Sequence, residues 1–139
     1  MTLDDRRIKD KLDELFRYHK ELIEDLPAKK DFKKERIIRR GVEKTVELIA
    51  DTILDIALMI ISGEGFEKPE DSRSAIIILE KKKVLSKLIS DKIQDLLSFR
   101  NLLVHRYGKV DEDVEYSNIR GNHKDVIAFI EEIEGFLKR

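Results

Sequence analysis

The sequence contains no cysteine, one glutamine, three asparagines and two prolines in 139 residues. Without cysteine there is no disulfide framework, no thiolate metal site and no cysteine nucleophile. It also lacks a surplus of charge: 28 Lys and Arg stand against 29 Asp and Glu, so the formal net charge is −1. The global basic signature of a nucleic-acid binder is therefore missing. No long uncharged apolar run is present either. The greasiest stretch, "LIADTILDIALMII", spans 14 residues and carries Asp51 and Asp55, too short and too charged for a membrane span. The first residues, "MTLDDRRIKD", hold no apolar segment of the secretory kind, so a cytosolic location is expected.

What is there instead is dense, balanced charge, 41% of residues. A Lys- and Glu-rich chain poor in thermolabile side chains has a composition of hyperthermophile type. The length suits one domain, 1–139, with a modest core that a partner surface would supplement.

Helical punctuation is clear. Leu12, Leu15, Phe16, Leu22, Ile23 and Leu26 keep the three-four spacing of an amphipathic helix that Pro27 stops. A second helix is expected from about Asp31 to Ser62, near 45 Å long at about 1.5 Å per residue. "SGEGFEKPED" breaks the chain. Asp71 or Ser72 caps a short third helix and Ser86 a fourth, "KLISDKIQDLLSFRNLLVH", which Gly108 ends. Asp111 opens a last helical region, interrupted by Gly121 and carried on by Val126, Ile130, Ile133 and Leu137. No strand-like alternation or internal repeat occurs. The expected fold is all-α, an antiparallel bundle of four or five helices.

The fourth helix carries an anomaly. On a wheel with Ile93 at zero, Leu96, Leu97, Leu103 and Val104 fall within about 80° of it, and Arg100 falls near −20°, inside the apolar stripe. An unpaired guanidinium cannot face a dry core. A buried carboxylate, a wet cleft or a second subunit must satisfy it. Singly, each neighbour has a plain reading. Arg100 suits a structural ion pair or a dimer seam, His105 the helix dipole, Tyr107 a bundle-end aromatic, and Asn101 a surface polar group. Together they are harder to dismiss. Chance predicts roughly 0.2 occurrences of R-x-x-x-x-H in such a chain, but only about 0.005 of R-x-x-x-x-H-x-Y. Residues five apart lie about 140° from each other on a straight helix. Arg100 and His105 therefore meet only if the last turn unwinds, which Gly108 allows, or across a two-fold axis.

"RNLLVHRY", its lead-in "ILEKKKVLSKLISDKIQDLLSF" and the long preceding helix resemble the HEPN-domain ribonucleases. More narrowly, they resemble the HepT toxins paired with minimal nucleotidyltransferase (MntA) antitoxins. The resemblance covers nearly the whole chain. It implies a helical bundle that dimerises near the penultimate helix, and cleavage of RNA through a 2′,3′-cyclic phosphate with neither metal nor cofactor. It implies that Arg100 and His105 are the catalytic pair, that Asn101 supports them, and that Tyr107 accepts AMP from the cognate nucleotidyltransferase. The family's second helix often ends Gly-Glu-Ala, where this chain has Gly63-Glu64-Gly65. The family usually has a Gly where this chain reads "KKK", a departure that bears on the turn geometry there and not on the site.

Residue chemistry suits that implication. His transfers protons near neutrality, and Arg holds a phosphate bidentately. Lys29, Lys30, Lys33, Lys34, Arg36, Arg39 and Arg40 put seven basic residues in twelve positions. They are either RNA phosphate contacts or a solvated helix face. His19 and His123 have no motif around them and read as structural. Two other readings stand beside the ribonuclease toxin. One is a non-catalytic helical partner that holds substrate for a nucleotidyltransferase; the other is a plain helical-bundle dimer.

Overall fold

The computed structural model describes residues 4–105 and 110–139, and within them every regular element is a helix. The first, α1 (Asp5–Asp25), starts at Asp4, whose carboxylate accepts from the Arg7 backbone N–H at 3.1 Å, and ends just before Pro27. The expected second helix is broken. A single turn and a half, α2 (Lys29–Lys34), is followed by the 29-residue α3 (Arg36–Glu64). No Gly or Pro lies at the break. Glu35 is simply extended (φ −94°, ψ 90°), and two tertiary contacts hold the corner. Phe32 is fully buried with its ring 5.3 Å from that of Tyr116. The Arg39 guanidinium donates to the Phe32 and Lys33 carbonyls at 3.1 and 2.9 Å, occupying acceptors that the end of α2 leaves free.

The remaining caps follow local rules. Asp71, not Ser72, caps α4 (Ser72–Lys81): its carboxylate accepts from the Ser74 N–H at 2.7 Å while Ser74 Oγ accepts from the Asp71 N–H at 2.9 Å. Ser86 Oγ accepts from the Ile89 N–H at 3.2 Å and opens α5 (Lys87–His105). Ser86 is itself clamped by Glu132, which accepts from its N–H at 2.7 Å and its hydroxyl at 2.8 Å. Asp111 caps α6 (Glu112–Asn122). The last region then divides at His123, two residues past Gly121, before α7 (Lys124–Leu137). With α2–α3 and α6–α7 each counted as one interrupted helix, the described residues make five helices, within the four or five expected.

Helices α1, α3, α5 and α7 pack in a closed ring, each touching the next, while α4 bridges α3 and α5 and α2 joins α3 to α6. Ile8 and Leu15 from α1, Ile49, Ile53, Ile56 and Ile60 from α3, Ile76 and Leu79 from α4, Ile93 from α5, and Phe129 and Ile133 from α7 are fully buried between them. No helix among the described residues is long and apolar enough to cross a membrane.

Two helix ends use the same left-handed exit with different residues. After α3, the Phe66 N–H reaches the Ile61 carbonyl at 2.9 Å and the Gly65 N–H reaches that of Ser62 at 3.3 Å, with Gly65 at φ 70°. After α4, the Val84 and Lys83 N–H groups reach the Leu79 and Glu80 carbonyls at 2.9 and 3.0 Å, with Lys83 at φ 62°. The "KKK" turn thus keeps a geometry that favours glycine without having one. A Cβ in the left-handed region costs roughly 1–2 kcal/mol, partly offset by the extra unfolded-state freedom of glycine. Lys83→Gly should therefore stabilise the protein by about 0.5–1 kcal/mol, read as a higher urea midpoint, whereas Lys83→Ala should change it little.

Candidate active site

Helix α5 runs unbroken through His105. Its buried side is made by Ile89, Ile93, Leu97, Phe99 and Leu103. Arg100 falls within that side by angle, yet its side chain is 24% exposed and is not swallowed by the core. One turn on, Val104 is 47% exposed although the wheel places it inside the apolar stripe. The stripe is wider here than the surface the bundle covers.

Arg100 is held from two directions. Its Nη2 donates to Asp51 Oδ1 of α3, and its Nη1 donates to Asn101 Oδ1 at 3.0 Å. Its Nε is buried and has no hydrogen-bond partner among the described residues. Of the three ways to satisfy this charge that the sequence leaves open, a carboxylate is one that the structure supplies, and it is half-exposed rather than buried. Asp51 went unrecognised as a site residue. Its signal was there, because it and Asp55 are the two acids inside the greasy stretch of the second helix. Asp55 turns to Lys11 instead, at 3.6 Å.

His105 is exposed at the end of the described part of α5. Since the helix does not unwind before it, Arg100 and His105 remain about 140° apart around the axis. Among the described residues Arg100 donates to Asp51 and Asn101. Tyr107 and Gly108 lie outside the described residues, and so does any unwinding beyond His105.

The basic run divides. Lys33 and Lys29 pair with Asp113 at 3.1 and 3.3 Å, which holds the Asp113 carboxyl below its usual range. Arg39 serves the α2–α3 corner and pairs with Glu112 at 3.7 Å. These contacts tie α2 and α3 to the start of α6. Lys34, Arg36 and Arg40 are exposed and make no ion pair among the described residues. Arg40, with Glu43, Lys44 and Glu47 of α3, faces Leu103 and Val104 of α5 across a cleft of about 310 Å³. Of the seven basic residues, Arg40 is thus set beside the end of α5.

His19 and His123, which the sequence leaves as isolated structural residues, touch. Their Nε2 and Nδ1 atoms lie 3.2 Å apart, joining α1 to the α6–α7 junction. Two neutral rings satisfy this contact, one donating and one accepting, while two imidazolium ions would oppose N–H to N–H. Burial lowers the pKa of both. The neighbouring ring lowers His19 further, and Arg120 and Lys124 lower His123 against the opposing pull of Asp125.

Comparison with known proteins places this geometry in a family. A family model described as "Ribonuclease HepT-like" matches residues 8–133. An mRNA nuclease HepT of Shewanella oneidensis is 22% identical over 103 residues, covering 74% of this chain and 77% of that protein. A putative RNase of Archaeoglobus fulgidus is 25% identical over 89 residues, covering 64% and 67%. Among solved structures, a tri-AMPylated Shewanella oneidensis HEPN toxin in complex with an MNT antitoxin superposes with a TM-score of 0.86. It shares 21% identity and covers 92% of this chain and 96% of that one. YutE of Bacillus subtilis, described as a cytosolic protein of unknown function, superposes with a TM-score of 0.79 at 21% identity, covering 99% and 94%.

The histidine pair generates a pH dependence. Both folded pKa values lie below the unfolded value of about 6.5, so the unfolded chain binds more protons and stability falls as pH falls. The loss should be absent above about pH 7.5 and grow as pH drops through 6.5 toward the folded values. Asp71 and Asp113, also lowered, act only near and below the carboxylate range of about 4. Urea midpoints should therefore fall between pH 7.5 and pH 5, and His123→Gln should flatten that slope. An equal slope in the variant would remove the pair as its source.

Proposed function

The chain belongs to the HepT-like ribonuclease family, and on that premise we propose that it is the toxin of a toxin–antitoxin pair. It is a cytosolic endoribonuclease that works as a homodimer and is silenced when a cognate MntA-like nucleotidyltransferase adds AMP to Tyr107. The observation that carries this reading is the R-x-x-x-x-H pattern at the end of α5, with the Arg100 guanidinium fixed at the surface by Asp51 and Asn101. The ribonuclease names of both curated relatives support the substrate class. The toxin–antitoxin complex with its modified toxin supports the partner and the modification.

The dimer follows from geometry and exposure. An unbroken helix presents Arg100 and His105 to different directions, so one copy cannot aim both at one phosphate. Large apolar side chains are left open on both helices: Leu58 of α3 is 41% and Val104 of α5 47% exposed, and Leu54 of α3 is half-buried. A second copy seated there across a two-fold axis covers those side chains and brings two Arg100 and two His105 to one seam.

The chemistry needs no metal. One His105 takes the proton of the ribose 2′-OH, whose oxygen attacks the adjacent phosphorus. The bond from phosphorus to the 5′-oxygen breaks, and the other His105 protonates that oxygen. A 2′,3′-cyclic phosphate and a free 5′-hydroxyl remain. Arg100 holds the phosphorane oxygens. Asn101 supports the site by fixing Arg100. Lys34, Arg36 and Arg40 contact flanking phosphates, and Lys33 and Arg39 do so only if they leave their acidic partners.

Light scattering at micromolar concentration should give the mass of a dimer; a monomer would remove the shared site. Purified protein should cut RNA in excess chelator and leave cyclic phosphate ends. Arg100→Ala and His105→Ala should each cost about 10²–10⁴ in rate with the fold intact. Loss of cleavage in chelator, or full activity of His105→Ala, overturns the mechanism.

Tyr107 stands two residues past His105 in the sequence. An attached AMP would present its own phosphate to Arg100 and its adenosine to the cleft, so neutralising and blocking the site together. Incubation with the cognate nucleotidyltransferase, ATP and Mg²⁺ should add mass in units of AMP and stop cleavage. Tyr107→Phe should remain an active nuclease that escapes. Equal modification and inhibition of Tyr107→Phe would place the acceptor elsewhere.

A further inference from the structure

We infer that Asp51 is a positioning residue for the cleavage reaction, because its carboxylate on α3 holds the guanidinium of Arg100 on α5 in one orientation at the surface. The inference rests on the ribonuclease reading above. Three observations carry it.

First, Asp51 sits where it cannot drift. Its chain neighbours Ala50, Thr52 and Ile53 are all buried in the middle of the 29-residue α3. Thr52 Oγ1 also donates to the Leu48 carbonyl at 2.8 Å. A short carboxylate on that backbone has little freedom, whereas an arginine side chain free in water has a great deal to lose.

Second, the donor count leaves room for substrate. A guanidinium has five N–H groups: one on Nε and two on each Nη. Asp51 takes one from Nη2, Asn101 takes one from Nη1, and Nε is buried. One N–H on each Nη remains, the number a phosphate needs for a two-pronged contact. The pair therefore orients Arg100 without consuming it.

Third, a purely structural role explains the contact poorly. The Asp51 side chain is 45% exposed, and ion pairs so open to water add little to stability. Electrostatically, Asp51 even works against substrate, because its negative charge lies beside the group that must attract a phosphate. A residue that weakens attraction and improves aim should show this as a split between KM and kcat. Neutralising it should leave KM unchanged or lower and reduce kcat.

The test is a kinetic cycle on the full-length protein with a defined RNA oligonucleotide. Asp51→Asn should keep the wild-type circular dichroism spectrum and lower kcat by about tenfold to a hundredfold, the scale of a misplaced catalytic group. KM should not rise. Asp51→Glu should recover part of the loss. In an Arg100→Ala background, Asp51→Asn should cost nothing further, since it acts through the guanidinium. NMR of the Arg100 side chain should show an ordered guanidinium in the wild type and an averaged one in Asp51→Asn. If Asp51→Asn fails to fold, Asp51→Ser carries the same expectations. Wild-type kcat in the neutral variant, a loss confined to KM, or an additive loss in the double variant each overturns the role of Asp51 while the ribonuclease reading stands. Wild-type protein that does not cut RNA overturns both.

Discussion

An arginine on the apolar side of a helix cannot be desolvated alone, and much of the arrangement around α5 answers to that constraint. Ile93, Leu97, Phe99 and Leu103 pull one side of the helix inward. Arg100 falls among these residues by angle, yet it must keep a polar partner and access to water, since a buried unpaired cation costs more than the extra apolar contact returns. The helix therefore settles with Arg100 at the rim, where α3 presents Asp51. The other polar groups on α5 are solved differently. Gln94 donates to Ser90 at 3.0 Å inside the helix itself, so this buried pair makes no demand on its neighbours. Arg100, by contrast, draws on a second helix, and its contact with Asp51 joins α5 to α3.

The same physics decides what could be read from the sequence. Caps are local: Asp71, Ser86 and Asp111 bind backbone within three residues, so residue type and order suffice to expect them. The α2–α3 corner is not local. It depends on Phe32 meeting Tyr116, 84 positions along the chain, and on Arg39 reaching back to carbonyls, and no residue between 31 and 39 announces it. At Lys83 the sequence shows an absent glycine but not that the turn keeps its left-handed form regardless. For the site, periodicity exposed the misplaced Arg100, and its need for a carboxylate, but not which one. Asp51 lies 49 positions away, and only packing chooses between it and Asp55.

Near-neutral overall charge puts a limit on how RNA is approached. With a net charge of −1 there is no long-range pull on a polyanion, so attraction must come from local groups. Much of the basic run is already engaged: Lys29, Lys33 and Arg39 hold α6 through Asp113 and Glu112. The remainder, Lys30, Lys34, Arg36 and Arg40, stays exposed, and Arg40 opens on the cleft beside Leu103 and Val104. A charge run that looks uniform in sequence thus separates into a structural half and an available half, and the division is made by the acids of α6.

The proposed site, shared across a two-fold axis, raises a question of its own. Proton abstraction and proton donation are different tasks, yet the two His105 of a symmetric dimer have identical surroundings. Nothing in either copy can assign them. RNA has no two-fold axis, because its strand runs from 5′ to 3′, so binding removes the equivalence. The histidine nearer the 2′-OH becomes base and the one nearer the 5′-oxygen becomes acid, and a strand entering in the opposite sense exchanges the roles. The protein then needs no asymmetric tuning of pKa values. It needs a guanidinium that stands still while either direction of strand is accepted. A carboxylate on a rigid helix, repeated identically in both copies, meets that requirement at no cost to the symmetry.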